Sequence, residues 1–124
     1  MSDPRSGNSV TTLDMLRDAL RQFAADRDWD QFHSPKNLSM ALSVESAELM
    51  EHFQWLTIAE SERLLPEKLE QVRLEMADVL LYLVRLADKL EIDLVAAAQE
   101  KLLLNARKYP VDKARGSKNK YSEF

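Results

Sequence analysis

Apolar residues recur at three- and four-residue steps along most of the chain, which is the spacing of one face of an α-helix. The first segment with this spacing consists of Leu13, Leu16, Leu20, Phe23 and Ala24. Thr11 or Thr12 can accept hydrogen bonds from the free N–H groups at a helix start. The pattern therefore predicts a first helix that begins there and ends before a polar connection over residues 26–34.

Start signals divide the next part of the chain. Ser34-Pro35 is typical of a helix start, since serine caps the first turn and proline lacks an N–H that would be unpaired there anyway. We expect this second long helix to run to about Gln54. Thr57 and Glu60 have the spacing of a capping box, which predicts one short helix before the next long one.

The remaining signals predict two more long helices. Pro66 opens the third, which is expected to run to about Leu90. Asp93 caps the fourth, which should end near Lys108 because Pro110 cannot continue a helix. No stretch alternates as a β-strand does. The predicted fold is all-α, a four-helix bundle.

Composition agrees with a small helical protein. The 124 residues suffice for one domain, and only two glycines and four prolines favour long elements over turns. We expect a disordered lead over residues 1–10, a helical domain over 11–108 and a basic tail over 109–124.

The charge of the chain bears on its partners. A formal net charge of −4 argues against a nucleic-acid-binding surface, which needs clustered cations. Residues 107–120 nevertheless carry six Lys or Arg against Asp112 alone. Two interpretations stay open for this segment, a solvated tail and a basic flap that meets phosphates.

The lack of cysteine, of a membrane-spanning stretch and of a signal peptide excludes further classes of protein. The chain has no cysteine, so disulfides, a thiolate nucleophile and zinc–sulfur sites are excluded. It has no apolar run of membrane-spanning length and no signal-peptide core at its N-terminus. We expect a cytoplasmic protein that binds neither membranes nor nucleic acid.

Two pairs of acids stand at helical spacing. Glu45 and Glu48 lie three apart on the second long helix, and Glu75 and Asp78 lie three apart on the third, so each pair shares a face. Glu45 occupies a position in the apolar stripe of its helix. Residues 76–87 are apolar except for Asp78 and Arg85, which predicts that this helix and its Asp78 are buried. A buried carboxylate is costly unless it is paired, hydrogen-bonded or metal-bound.

If these two helices form an antiparallel hairpin, the four acids can face one another. Four carboxylates in one cleft repel each other unless a cation is present, and oxygen-only ligation is what Mg²⁺ prefers. The lack of cysteine and the presence of only two histidines argue against zinc or copper. The alternative interpretation is an exposed acidic face with salt bridges.

The two acid pairs resemble the E-x-x-E and E-x-x-D motif of the all-α NTP pyrophosphohydrolases, the MazG-like superfamily. Residues 27–33, 51–55, 78–83 and 105–110 resemble its dCTP pyrophosphatase branch, as do Lys120 and Tyr121 near the end. The similarity covers residues 13–121.

The resemblance implies a helical protomer that forms a homodimer or homotetramer with active sites at subunit contacts. It implies hydrolysis of a deoxynucleoside triphosphate to the monophosphate and pyrophosphate. Glu45, Glu48, Glu75 and Asp78 would hold Mg²⁺, which Mn²⁺ could replace. We assign Glu48 as the general base. The resemblance further implies substrate contacts by Trp29, Trp55, Tyr82, Lys89, Lys101 and Asn105.

The sequence leaves alternatives open for the roles of single residues, for the substrate and for the function. Trp55 at a helix end could be a packing anchor, and Tyr82 could belong to the core. The dCTP-selective branch can carry a histidine where this chain has Leu20, which leaves the preferred base open. The same scaffold could act on dUTP or phosphoribosyl-ATP. A non-catalytic helical interaction module is the rival from another class.

Overall fold

The computed structural model describes residues 9–118. Its helices, in chain order, are α1 (Leu13–Asp26), α2 (Pro35–Glu51), α3 (Ile58–Ser61), α4 (Pro66–Lys89), α5 (Leu94–Lys108) and α6 (Val111–Ala114), with a 3₁₀ turn at Asp30–Phe32. No strand occurs among these residues, so the all-α prediction is confirmed. Within residues 9–118 the four predicted long helices and the predicted short helix α3 are present, and α6 is a sixth helix that the sequence pattern did not predict, so the four-helix count is corrected. Most of the predicted lead, and Lys120 and Tyr121 of the tail, lie outside the described residues.

The predicted caps explain where the helices begin. The Thr12 hydroxyl accepts a hydrogen bond from the Met15 N–H at 3.1 Å, and the Ser34 hydroxyl accepts one from the Asn37 N–H at 3.1 Å. Asp93 caps α5 in the same way. In α3 the capping box is complete: the Thr57 N–H donates to the Glu60 carboxylate at 2.9 Å, and the Glu60 N–H donates to the Thr57 hydroxyl at 3.1 Å. These bonds satisfy N–H groups that a helix start leaves free.

The chain divides into two compact units, residues 1–91 and residues 92–124. In the first unit α4 packs against both α2 and α1. Leu38 of α2, at 2% exposure, is its most enclosed large side chain, and the other buried apolar residues are Ala24, Val72, Val84 and Ala87. The second unit contains α5 and α6. No helix within residues 9–118 combines the length and apolar content that a membrane span requires.

Within the single chain, α4 is buried on only part of its circumference, so the burial predicted for this helix and for Asp78 is not reached without a partner. Met76 is 57% exposed, and Leu80 and Leu83 are also exposed. Asp78 is exposed as well. The helices α1 and α2 pack on part of the α4 surface, and the apolar composition of a helix does not tell how much of its circumference is covered.

Candidate metal centre

Three carboxylates from α2 and α4 come together in the first unit. Glu45, Glu48 and Glu75 each offer one oxygen atom, and these three oxygens all lie within 4.8 Å of one another. The packing of α4 against α2 brings the helices side by side. The three-residue spacing of Glu45 and Glu48 places both on the α2 face that meets α4. The structure therefore assembles an acidic cluster from residues thirty positions apart in sequence.

The environment of this acidic cluster disfavours its negative charge. Burial raises the pKa of Glu45 above its ordinary value; a hydrogen bond with Glu75 acts in the opposite direction, and the carboxylates of Glu48 and Asp78 raise the pKa further. The buried Glu45 Oε2 atom has no hydrogen-bond partner among the described residues. Hydrogen bonding with Glu48, and then burial, raises the pKa of Glu75 to about 8. The cluster consequently retains a proton at neutral pH unless a cation takes its place.

Asp78 lies one turn after Glu75 on α4 but is not part of the close group of three oxygens. Its charge still acts on the cluster, since it contributes to raising the pKa of Glu45. The structure thus gathers three of the four predicted acids tightly and places the fourth next to them.

The donor set fits a hard divalent cation. Carboxylate oxygens are the ligands that Mg²⁺ takes in proteins, where it commonly keeps water and phosphate oxygens as its other ligands. The buried Glu45 Oε2 atom, which has no hydrogen-bond partner among the described residues, is a suitable ligand atom for such a cation.

An aromatic cavity of about 230 Å³ adjoins Asp78. The Trp29 ring stands edge-on to the Phe23 ring, with centroids 5.7 Å apart, and edge-on to the His33 ring at 6.4 Å. The full lining is Leu20, Phe23, Ala24, Trp29, His33, Asp78, Leu81, Tyr82 and Arg85. Such a mainly apolar wall suits a planar ring. Of the predicted substrate contacts, Trp29 and Tyr82 lie in this cavity.

The other predicted substrate contacts lie elsewhere. Trp55 follows α2 and is 87% exposed, without lining the cavity. Lys89, at the end of α4, forms an ion pair with Asp30 in the 3₁₀ turn. Lys101 and Asn105 lie on α5 in the second unit, and their contact with substrate stays a prediction.

Sequence reasoning missed two polar residues of the cavity wall. Neither residue is among the predicted substrate contacts, and Arg85 stands out in the sequence only as a charged exception in an apolar stretch. In the structure Arg85 is buried and donates from Nε to His33 Nδ1 at 3.1 Å. The available signal was the cost of a lone arginine in an apolar stretch, which requires partners.

Comparisons with known proteins identify relatives of the chain. The chain is 44% identical over 115 residues to dCTP pyrophosphatase 1 of Homo sapiens, covering 91% of this chain and 68% of that protein. It is 42% identical over 123 residues to dCTP pyrophosphatase 1 of Rattus norvegicus, covering 98% of this chain and 72% of that protein.

A crystal structure of a pyrophosphatase from Archaeoglobus fulgidus superposes with a TM-score of 0.71 at 40% identity, over 86% of this chain and 99% of that one. The family model described as MazG-like matches residues 40–124, which is more than half of the chain and includes all four acids. The chain belongs to the MazG-like family.

Proposed function

We propose that this chain is a Mg²⁺-dependent enzyme that hydrolyses dCTP, or a related deoxynucleoside triphosphate, to the monophosphate and pyrophosphate. The observation that carries the proposal is the acidic cluster of Glu45, Glu48 and Glu75, with its orphaned Glu45 oxygen, next to an aromatic cavity. The substrate class is supported by the similarity to dCTP pyrophosphatase 1.

In this proposal Glu45, Glu48, Glu75 and Asp78 hold Mg²⁺, for which Mn²⁺ can substitute. When bound, the ion would polarise the triphosphate and neutralise charge on the departing pyrophosphate. Glu48 is exposed, and we assign it as the general base that takes a proton from the attacking water. The water oxygen bonds to the α-phosphorus, the bond from that phosphorus to the bridging oxygen breaks, and pyrophosphate leaves.

The nucleobase of the substrate would enter the aromatic cavity, where Trp29 and Tyr82 offer ring surfaces for stacking. Trp55 contacts substrate in this proposal only if a partner subunit completes the site, because its ring is almost fully exposed in the single chain. Lys89, Lys101 and Asn105 remain proposed contacts to the rest of the nucleotide.

A homodimer or homotetramer is part of the same proposal. Large apolar side chains are exposed on both helices that carry the acids, namely Met40, Val44, Met50, Leu69, Leu74, Met76, Leu80 and Leu83. An exposed apolar face of this extent is typical of an interface, and symmetric dimers are the commonest arrangement. Sedimentation as a monomer at micromolar concentration would contradict this part of the proposal.

The test is incubation with a panel of nucleoside triphosphates and Mg²⁺, with separation of all phosphate-containing products. We expect monophosphate and pyrophosphate, with dCTP among the best substrates, and no product after addition of a chelator. Diphosphate plus phosphate as products would reject attack at the α-phosphorus.

Two substitutions test the acids directly. Glu48→Gln and Asp78→Asn are expected to abolish turnover while circular dichroism shows an unchanged fold. Glu51→Gln is the matched control, because Glu51 is an exposed acid on α2 outside the cluster. Full activity in both Glu48→Gln and Asp78→Asn would reject the metal-site assignment.

A further inference from the structure

Arg85 is a buried cation on α4 whose three kinds of donor nitrogen each meet a different partner. Its side chain is only 7% exposed. Nη2 donates to Asp30 at 2.8 Å, Nη1 donates to Asp88 at 3.2 Å, and Nε donates to His33 Nδ1 at 3.1 Å. The guanidinium therefore connects α4 to the 3₁₀ turn and to the wall of the aromatic cavity.

The bond from Arg85 determines where His33 carries its proton. A guanidinium has donors and no acceptor, so His33 Nδ1 must accept. A neutral imidazole that accepts at Nδ1 carries its hydrogen on Nε2. Burial, and then the positive charges of Arg85 and Lys89, lower the pKa of His33, which keeps the ring neutral at physiological pH.

The two carboxylates that hold Arg85 are themselves anchored. Asp88 has a side chain that is 8% exposed and also accepts two hydrogen bonds from Arg21 of α1, at 2.7 and 2.5 Å. Asp30 also pairs with Lys89. Because each carboxylate partner of Arg85 has a second cationic partner, the guanidinium has little freedom to turn away from His33.

We infer that Arg85 is a positioning residue for base recognition: it fixes His33 as the Nε2–H tautomer, which offers one hydrogen-bond donor to the cavity. The inference rests on the proposed function for the identity of the ligand. His33 lines the cavity, and its Nε2 atom has no hydrogen-bond partner within residues 9–118. The complementary ligand is a nucleobase that presents an acceptor, a ring carbonyl or an unprotonated ring nitrogen, to that donor.

The tautomer can be observed directly. NMR of nitrogen-labelled histidine shows which ring nitrogen carries the proton, and since the chain has only two histidines, a His52→Gln variant assigns the signals. We expect His33 to be protonated at Nε2 in the wild type, and titration with a non-hydrolysable dCTP analogue to shift that signal. Protonation at Nδ1, or a signal that saturating analogue does not move, would overturn the inference.

Arg85→Met tests the role of the guanidinium. It leaves Asp30 with Lys89 and Asp88 with Arg21, so each carboxylate keeps a cationic partner. We expect mixed His33 tautomers and a KM for dCTP that rises about three- to tenfold with kcat within about twofold, the effect of one hydrogen bond. The matched control is Arg21→Met, which removes the other ion pair of Asp88 without touching His33. Unchanged tautomer and KM in Arg85→Met, or equal effects in the control, would overturn the inference.

A second pair of variants keeps the test independent of whether Arg85→Met folds. In His33→Gln the side-chain amide reaches toward the position of Nε2, whereas in His33→Asn it reaches only that of Nδ1. We expect the analogue to bind His33→Gln within about threefold of wild type and His33→Asn about tenfold more weakly. The reverse order would overturn the inference. Absence of hydrolysis in the wild type would reject the proposed function alone, because the NMR and binding measurements need no turnover.

Discussion

Lowering the pH from 8 to 6 is expected to weaken Mg²⁺ binding steeply, because the acidic cluster must release a proton before all of its carboxylates can act as ligands. Hydrogen bonding with Glu48, and then burial, raises the pKa of Glu75 to about 8 in the metal-free protein. A carboxylate with an ordinary pKa would be fully ionised over this whole range, so the predicted pH dependence is a direct consequence of the cluster.

The magnitude follows from competition between one proton and the cation. With a pKa of about 8 for Glu75, the apparent dissociation constant is multiplied by roughly 2 at pH 8, roughly 10 at pH 7 and roughly 100 at pH 6. The affinity should therefore fall about fiftyfold between pH 8 and pH 6 and change little above pH 9. At pH 7 the binding of one ion should release about 0.9 proton.

The free energy of unfolding of the metal-free protein should fall as the pH rises. The folded-state pKa of Glu75 lies above the value of about 4.3 expected for the unfolded chain, so the protonated carboxyl stabilises the fold. This stabilisation is fully present below pH of about 4.3 and is lost as the pH rises through about 8. The Tm without metal should fall over that range, and Glu75→Gln, which cannot ionise, should flatten the curve.

Isothermal titration calorimetry in buffers of different ionisation enthalpy measures both the affinity and the number of protons released. Glu75→Gln is expected to bind Mg²⁺ weakly and without the pH dependence. Glu70→Gln is the matched control, since Glu70 is an exposed acid on the same helix that pairs with Arg73. An affinity that stays constant between pH 6 and pH 8, or binding without proton release, would refute the assignment of the proton-holding cluster as the metal site.

The remaining predictions concern the core, a helix cap and the exposed apolar face. Leu38→Ala should lower the free energy of unfolding by about 2–5 kcal/mol in urea titrations, because Leu38 is almost fully enclosed, while Leu65→Ala at an exposed position should cost much less. Thr57→Ala should cost about 1 kcal/mol by the same measurement, since it removes the capping box of α3, and no change would show that α3 adds nothing to stability. Leu80→Glu should shift the protein to a monomer in sedimentation while its circular dichroism is preserved, and an unchanged sedimentation coefficient would remove α4 from the proposed interface.

The starts of the helices could be predicted because they depend on local chemistry. Thr12, Ser34, Thr57 and Asp93 each cap the helix that the pattern assigned to them. The ends were less predictable: α2 ends at Glu51, before the expected Gln54. The following residues form turns, in which the Phe53 N–H donates to the Met50 carbonyl, and no glycine or proline marks that change in the sequence. The helix α6 was missed because a segment of four residues has too few positions for periodicity.

The candidate site could be predicted where spacing alone places side chains on one face. The three-residue steps and the packing of α2 on α4 were enough to bring Glu45, Glu48 and Glu75 together. The apolar composition of α4 does not predict the exposure of Asp78, because composition does not tell which side of a helix its neighbours cover. Helical spacing does not predict the contact of Arg85 with His33 either, because the two residues are 52 positions apart and only the tertiary structure joins them.

The exposed apolar residues of α4 lie on a different side of the helix from Glu75 and Asp78. Leu80 is two residues beyond Asp78, about 200° around the helix axis, and it shares a face with Met76 and Leu83. If the active site lies at a subunit contact, as the resemblance implies, a second copy would remove water from Asp78 and Glu75 and thereby strengthen both their mutual repulsion and their attraction for a cation. Self-association and Mg²⁺ binding should then be coupled. The second copy excludes water from the carboxylates, and the ion supplies the positive charge that offsets the free-energy cost of this dehydration. Asp78 is exposed in the single chain, and Trp55 is almost fully in solvent. In this proposal one chain supplies the carboxylates of the site, and a second copy completes it.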